Sequence, residues 1–451
     1  MSDVAPNLTP LDAGTRALVL GLGRTGLSTA RYLARKGLGV RVADTRAAPP
    51  GLDALRAQVP EAELRTGAFE SSLLEGMSQV VISPGLSLRQ PLVHEAFARG
   101  LPVIGDIELF AREAQAPVAA VTGTNGKSTV TTLVAELANA GGRRALAGGN
   151  LGEPALDLLE HPVPELYVLE LSSFQLETTH SLRTVTSTVL NVTPDHMDRY
   201  ADLAAYAAAK ARIFDGCDVA VVNADDAAVR AMPRPGQAMV SFSLQSREAD
   251  YTLATTPAPM IVRRGEPLLP LAAMRVQGLH NAANAMAALA MAEALALPLG
   301  PALEALAAFG GLPHRSQWVA DVGGVRYVND SKGTNVGATL AAVAGMAGPL
   351  VVIAGGDGKG QDFADLRAAF RDKVRHVVLI GRDAAAIESS LAGVCATERA
   401  PDMRAAVRAA HAAAQAGDTV LLSPACASLD MFRDYTHRGD EFAAAVRSLA
   451  A

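Results

Sequence analysis

Short apolar runs, each closed by turn residues and followed by a longer stretch with apolar positions three and four apart, recur along the chain. Such runs occupy residues 16–20, 39–43, 79–83, 118–121, 166–169, 187–191, 219–223, 350–354, 376–380 and 419–422. Strands alternating with amphipathic helices predict parallel sheets covered on both faces, and so an α/β fold. Residues 241–269 break this rhythm with an alternating, turn-rich pattern that predicts antiparallel hairpins. Alanine-rich stretches such as 405–416 read as helix, and no internal repeat is visible.

The chain has 451 residues, and at about 150 residues per domain it predicts three domains. Ala-Gln-Ala-Pro at 114–117 and Gly-Gly-Leu-Pro-His-Arg at 310–315 read as boundaries. The expected units are an N-terminal Rossmann-like parallel sheet over 1–113, a central P-loop ATPase-like α/β domain over 114–313 and a C-terminal Rossmann-like α/β domain over 314–451.

Two glycine-rich turns carry the first chemistry. After the run at 118–121 comes Thr122-Gly123-Thr124-Asn125-Gly126-Lys127-Ser128, and a helix follows over 129–140. Gly123 and Gly126 let backbone N–H groups turn inward, Lys127 adds a point charge, and Ser128 stands where a magnesium ion would be held. This is a triphosphate cradle, two residues shorter than the general nucleotide loop. Earlier, Gly21-Leu22-Gly23-Arg24-Thr25-Gly26 follows the run at 16–20, and Asp44 lies 18 positions after the last glycine. That spacing is a dinucleotide fingerprint, and the same geometry accepts any pyrophosphate at a helix N-terminus.

Polar residues gather where other runs end, which is where α/β proteins place their ligands. Glu170 ends one run as a candidate magnesium ligand, and Asp195, His196 and Asp198 crowd the loop after another. Tyr206 and Lys210 share one face of a helix expected over 202–214. Asn281 and Asn284 open a helix reaching residue 295, either as caps or as partners for a purine base. In the last domain Asp330, Lys332, Lys359 and the segment 423–428 occupy strand ends.

Composition narrows the field. Forty basic against 46 acidic residues leave a net charge of −6, no footprint for nucleic acid. No apolar run approaches the roughly 20 residues of a membrane span, and residues 1–6 lack signal-peptide character, so a cytoplasmic chain without a membrane partner is expected. Cys217, Cys395 and Cys426 lie far apart, with neither disulfide nor zinc spacing.

Six separated strings together resemble the Mur ligase family of ATP-dependent amide-forming enzymes: Thr-Gly-Thr-Asn-Gly-Lys-Ser, Glu-Leu-Ser-Ser-Phe-Gln-Leu, Asn-Val-Thr-Pro-Asp-His-Met-Asp-Arg-Tyr, Leu-Pro-His-Arg, Asn-Asp-Ser-Lys-Gly-Thr-Asn and Ser-Pro-Ala-Cys-Ala-Ser-Leu-Asp. They run in family order over nearly the whole chain, and the short phosphate loop is the family's own form. The Gly-Leu-Gly-Arg-Thr-Gly opening, the Ser-Leu-Asp-x-Phe segment and the lack of Asp-Asn-Pro-Arg point to the branch that adds D-glutamate to UDP-N-acetylmuramoyl-L-alanine for peptidoglycan, through an acyl phosphate.

The resemblance implies the following roles. Arg24, Thr25, Asp44, Thr45, Arg46, Ser83 and Asn150 hold the uridine nucleotide in place of NAD. Gly123, Thr124, Asn125, Gly126, Lys127, Ser128, Asn281, Asn284, Arg315 and Asp330 hold ATP. Ser128 and Glu170 ligate one Mg2+, and His196 and Lys210 a second, with Lys210 carbamylated by carbon dioxide. Thr334, Lys359, Ser428, Leu429 and Tyr435 hold D-glutamate. Lys127, His196, Lys210 and Lys332 serve catalysis in a monomer whose third domain swings in, with Trp318 near the hinge. The rivals are another ligase of the family, such as a folylpolyglutamate synthase or the alanine-adding enzyme, an NAD-binding redox protein built on residues 21–44, and a non-catalytic scaffold.

Overall fold

The computed structural model describes residues 14–449 apart from 277 and 347, so the N-terminal segment 1–6 lies outside the described residues. Three sheets follow one another. The first is fully parallel, in the order Glu63–Thr66, Gly39–Asp44, Arg16–Leu20, Gln79–Ile82, Val103–Ile104. The strand order reverses at Arg16–Leu20, and there the chain carries its glycine fingerprint, so the first cleft opens at a topological switch point.

The central sheet has nine strands. Val118–Thr122 lies between Leu166–Glu170 and Thr184–Val189, all parallel. These three carboxyl ends therefore deliver the phosphate loop, Glu170 and the loop after Val189 to one rim. Ala238–Ser243 continues the parallel set, and Tyr251–Ala254 pairs parallel to it. Only Tyr251–Ala254, Met260–Arg263 and Glu266–Pro270 form the antiparallel meander, so the hairpin expectation for 241–269 holds for its second half alone. The strand expected at 187–191 is Thr184–Val189, which frees Asn191 to hydrogen-bond the phosphate loop.

The third sheet is parallel over Val325–Asn329, Thr419–Leu422, Leu350–Gly355, Val374–Ile380 and Ala396–Arg399. Gln317–Val322 adds an antiparallel edge. All three sheets carry helices, so the α/β expectation describes the molecule. No helix among the described residues is long and apolar enough to cross a membrane.

The cores divide the molecule unequally. One buried apolar cluster runs unbroken from Val19 and Val42 of the first domain to Tyr167, Tyr206 and Phe214 of the second. The linking helix Asp106–Glu113 cements it, with Phe110 set edge-on to Tyr167 at 5.1 Å. The third domain keeps its own two clusters. Its contacts with the second domain include polar pairs: Lys359 with Asp195, Asn335 with Asn125, and Arg315 with Ser128. A neutral bond of this kind nets about 1 kcal/mol and one to a charged group about 1.5–3 kcal/mol, because water can replace each, whereas apolar area has no such substitute. The first two domains thus share one apolar core, which the third does not join.

Candidate active site

The phosphate loop takes its shape from two glycines. Gly123 (φ 148°) lies against Leu190, and Gly126 (φ 85°) lies so close to Asn284 that a Cβ would sit 2.5 Å from its Oδ1. Asn191, just past the end of the neighbouring strand, braces the loop, accepting from the Asn125 N–H at 2.8 Å and donating to the Asn125 carbonyl at 3.1 Å. Beyond Gly126 the helix Lys127–Ala140 points its N-terminus and free N–H groups at the cleft.

Oxygen donors converge at the helix start. Ser128 Oγ donates to Glu170 at 2.5 Å, and Asn150 Nδ2 donates to the other Glu170 oxygen at 2.7 Å. Burial raises the Glu170 pKa, but Lys127, Ser128, Asn150 and Arg315 outweigh it and keep the carboxyl ionised. Asn150, expected in the uridine cleft, instead lines this reaction pocket.

Opposite stands Lys210, 1% exposed, its Nζ 4.4 Å above the Tyr206 ring. It donates to the Gly123 carbonyl at 2.9 Å, and Lys127 donates to the same oxygen at 3.0 Å. Two ammonium groups on one buried carbonyl repel each other. Burial and Lys127 together push the Lys210 pKa far below the ordinary lysine value. His196, on the neighbouring loop, is driven down to about 4 by burial, so its ring is neutral at physiological pH and suited to ligating a cation.

The third domain reaches in with its own loops. Lys359 Nζ lies 2.5 Å from Asp195, which also accepts from Asn335 at 3.3 Å. Lys332 sits 4.0 Å above the Tyr435 ring, its pKa lowered to about 8 by burial and by Arg315. Thr334 lines the reaction pocket, whereas Ser428 is buried and Leu429 is 73% exposed; those two do not line it. The segment 425–428 is tied to Asp357 through paired backbone hydrogen bonds with Ala427. Five of the seven described non-glycine residues in left-handed conformation, His196, His314, Ser316, Lys359 and Ala425, lie in these loops. Strain of this kind costs about 1–3 kcal/mol per residue and gathers at functional sites.

Two cavities meet at Asn125, Gly126, Arg315 and Lys332. The reaction pocket, about 400 Å3, holds Glu170, His196, Lys210 and Lys359. The other, about 310 Å3, is walled by Asn281, Asn284 and Asp330 with Leu190, Phe242 and Leu312, apolar faces interspersed with a few polar groups. Its roof is the third-domain helix Val336–Gly345, through Gly337, Ala338, Ala341 and Ala342. Sequence reasoning missed this roof: alanines in an alanine-rich helix carry no local signal.

A third cleft, about 330 Å3, gathers Arg24, Thr25, Asp44, Thr45, Arg46 and Ser83. Arg46 closes a two-point ion pair on Asp44 and holds its carboxyl down at about 2, and Asp44 also accepts from the Leu22 N–H at 2.7 Å. Pro84 and Gly85 line both this cleft and the reaction pocket, so the two adjoin.

The chain matches three family models in order: the N-terminal domain of the MurD-like Mur ligases over residues 15–105, the Mur ligase middle domain over 121–292, and the Mur ligase glutamate ligase domain over 314–426. It is 52% identical to the UDP-N-acetylmuramoylalanine–D-glutamate ligase of Nitrosococcus oceani over 98% of each chain. It is 53% identical to the enzyme of that name from Methylococcus capsulatus, over 98% of this chain and 96% of the relative. Among solved structures it resembles the UDP-N-acetylmuramate–alanine ligase of Thermotoga maritima (TM-score 0.62, 20% identity, 96% of this chain and 99% of that one). It also resembles the MurF ligase of the same organism in complex with ADP (TM-score 0.61, 14% identity, 97% and 100%). At these identities the structural likeness speaks for the fold.

Proposed function

The chain belongs to the Mur ligase family, and on that premise we propose that it joins D-glutamate to UDP-N-acetylmuramoyl-L-alanine with hydrolysis of ATP, as a cytoplasmic, monomeric step of peptidoglycan precursor synthesis. The observation that carries the reading is the adjacency of three cavities, a purine slot, a reaction pocket and a pyrophosphate cleft, each sharing wall residues with the next. The proposed domains are 1–113, 114–313 and 314–451. A redox protein built on the first cleft leaves the phosphate loop and the buried Lys210 without a role.

The purine lies between Asn281, Asn284 and the third-domain helix, with Asp330 facing the sugar and the triphosphate running over the loop 123–128. Lys127 and the loop N–H groups neutralise charge as the alanyl carboxylate attacks the γ-phosphorus and ADP departs. Arg315 and Lys332 take up the charge of the transferring phosphoryl group from the third-domain side. Ser128 and Glu170, two oxygen donors in hydrogen-bond contact, are of the chemistry that would hold a magnesium ion. An ion held by these two residues would supply screening of the charge shared by nucleophile and leaving group. His196 and Lys210 fit a second cation only with Lys210 carbamylated, since an ammonium has no lone pair to offer. Carbamylation needs a neutral amine, the form that burial favours at Lys210.

D-glutamate then meets Lys359 and Thr334, with Ser428, Leu429 and Tyr435 framing the approach. Its amine attacks the acyl phosphate, and phosphate leaves from the tetrahedral intermediate. In the structure Asp195 holds Lys359 as a substrate carboxylate would. Lys359→Ala is expected to raise the KM for D-glutamate by about 30- to 100-fold, the cost of one buried charge-assisted contact, with the KM for ATP within about twofold. Steady-state kinetics with each substrate varied checks this.

The whole reading is tested by magnesium-dependent phosphate release from ATP with UDP-N-acetylmuramoyl-L-alanine and D-glutamate, L-glutamate, L-alanine or diaminopimelate in turn. Release with D-glutamate alone is expected. Release with another amino acid instead would move the chain to a different branch of the family.

A further inference from the structure

The loop between Val189 and Leu203 holds a residue that lines none of the three cavities and yet joins two of them. The Arg199 side chain leaves the second domain and donates to the Pro84 carbonyl at 2.9 Å through Nη1 and to the Leu86 carbonyl at 2.7 Å through Nη2. Both carbonyls belong to the first-domain turn that walls the pyrophosphate cleft. The same guanidinium lies 3.8 Å over the Phe174 ring, and Phe174 meets the His196 ring edge-on at 5.0 Å. The backbone ties the two residues a second time, because the Arg199 and Tyr200 N–H groups both donate to the His196 carbonyl, at 2.9 and 3.1 Å. His196 itself is held at φ 58°, a conformation that its surroundings must enforce.

We infer that Arg199 is a positioning residue that passes the state of the turn 83–86 to the His196 imidazole, so that filling the first cleft sets the cation-binding end of the reaction pocket. The inference rests on the assignment of that cleft to a uridine nucleotide. A planar guanidinium is well shaped for this coupling, since its fork grips two carbonyls at once and its face stays free to stack on an aromatic ring. Glu177, 3.6 Å from Nη2, neutralises the charge without touching the turn. Linkage makes the coupling reciprocal, so a ligand in the first cleft tightens cation binding by the factor that the cation tightens the ligand.

The probe is UDP-N-acetylglucosamine, which carries the uridine pyrophosphate but no carboxylate to reach the reaction pocket. Two readouts are taken on the full chain: the His196 ring resonance, assigned with His196→Gln, and Mn2+ affinity by electron paramagnetic resonance with a non-hydrolysable ATP analogue. In the parent the probe is expected to shift the His196 resonance and to tighten Mn2+ about fivefold, the low end of measured couplings. In Arg199→Ala both responses vanish while the probe still binds. Arg199→Lys, able to reach one carbonyl, restores part of each, and Glu177→Gln keeps both. Full coupling in Arg199→Ala or Arg199→Lys, or a parent that binds the probe with neither response, overturns the inference. A parent that fails to bind the probe overturns the uridine assignment beneath it. Should the alanine variant not fold, the lysine and Glu177→Gln variants decide alone.

Discussion

Lys210→Ala is expected to lower turnover by about a thousandfold, the cost of removing a group that stabilises charge at the reacting centre, while leaving ATP and uridine-nucleotide binding nearly intact. The decisive companion is Lys210→Arg. If the role of this side chain were that of a cation, arginine would keep much of the activity; if the role requires a carbamate, arginine is as inactive as alanine. The carbamate forms when the neutral amine attacks carbon dioxide, making an N–C bond and releasing a proton, so its occupancy rises with pH and with bicarbonate. Burial and Lys127 lower the lysine's pKa, which moves that dependence toward lower pH than a surface lysine would show. Enzyme stripped of carbon dioxide below neutrality is therefore expected to lose activity and to regain it on adding bicarbonate, with a mass increment of one carbon dioxide on the peptide holding Lys210. Activity in the arginine variant with no response to bicarbonate would sink the carbamate.

The second large effect is at Gly26. In helix propensity alanine betters glycine by about 1 kcal/mol, so an exposed helix would gain from Gly26→Ala. Here the added Cβ would stand 1.8 Å from the Gly21 carbonyl oxygen. That oxygen is backbone and cannot turn aside, since Gly21 sits at φ 91° with its own N–H bonded to the Ala43 carbonyl at 2.8 Å. Overpacking of this severity costs about 3 kcal/mol or more and outweighs the propensity gain. A lowered melting temperature and loss of uridine-nucleotide binding by titration calorimetry are expected. Gly23→Ala is the control, because nothing lies within 4 Å of its added Cβ. That variant folds normally, and any cost it carries falls on the ligand.

The three fingerprint glycines were legible as a motif, but their inequality was not, because the clash at Gly26 is between turns that only the folded chain brings together. The same division runs through the site. Local patterns placed the phosphate loop, Glu170 and Lys332 where strands end, since strand, turn and helix each follow from neighbouring residues. Lys210 was legible on a helix face, and only the family resemblance turned it inward. Asp195 was visible as one of three charged or titratable residues in a loop, but its ion pair with Lys359, 164 positions later, depends on how the third domain sits. Asn150 carried the resemblance's expectation of a nucleotide contact, and the structure commits its amide to Glu170. Arg199 lies inside one of the family strings, yet a basic residue in a polar loop has no local peculiarity to mark it. The parallel pairing of Ala238–Ser243 and Tyr251–Ala254 was hidden for a related reason: alternation tells a half-buried strand, not the direction of its neighbour.

The roof of the purine slot has a pharmacological side. Its floor and its roof belong to bodies that share no apolar core, so a small molecule wedged there would act as a cement between two halves of one chain, more than as a rival for the base. On the expectation that the third domain swings in, its hold would strengthen as the amino acid binds. Such a compound would look weak in a binding assay on resting enzyme and strong in one run at turnover, and the screening format would decide whether it is found at all.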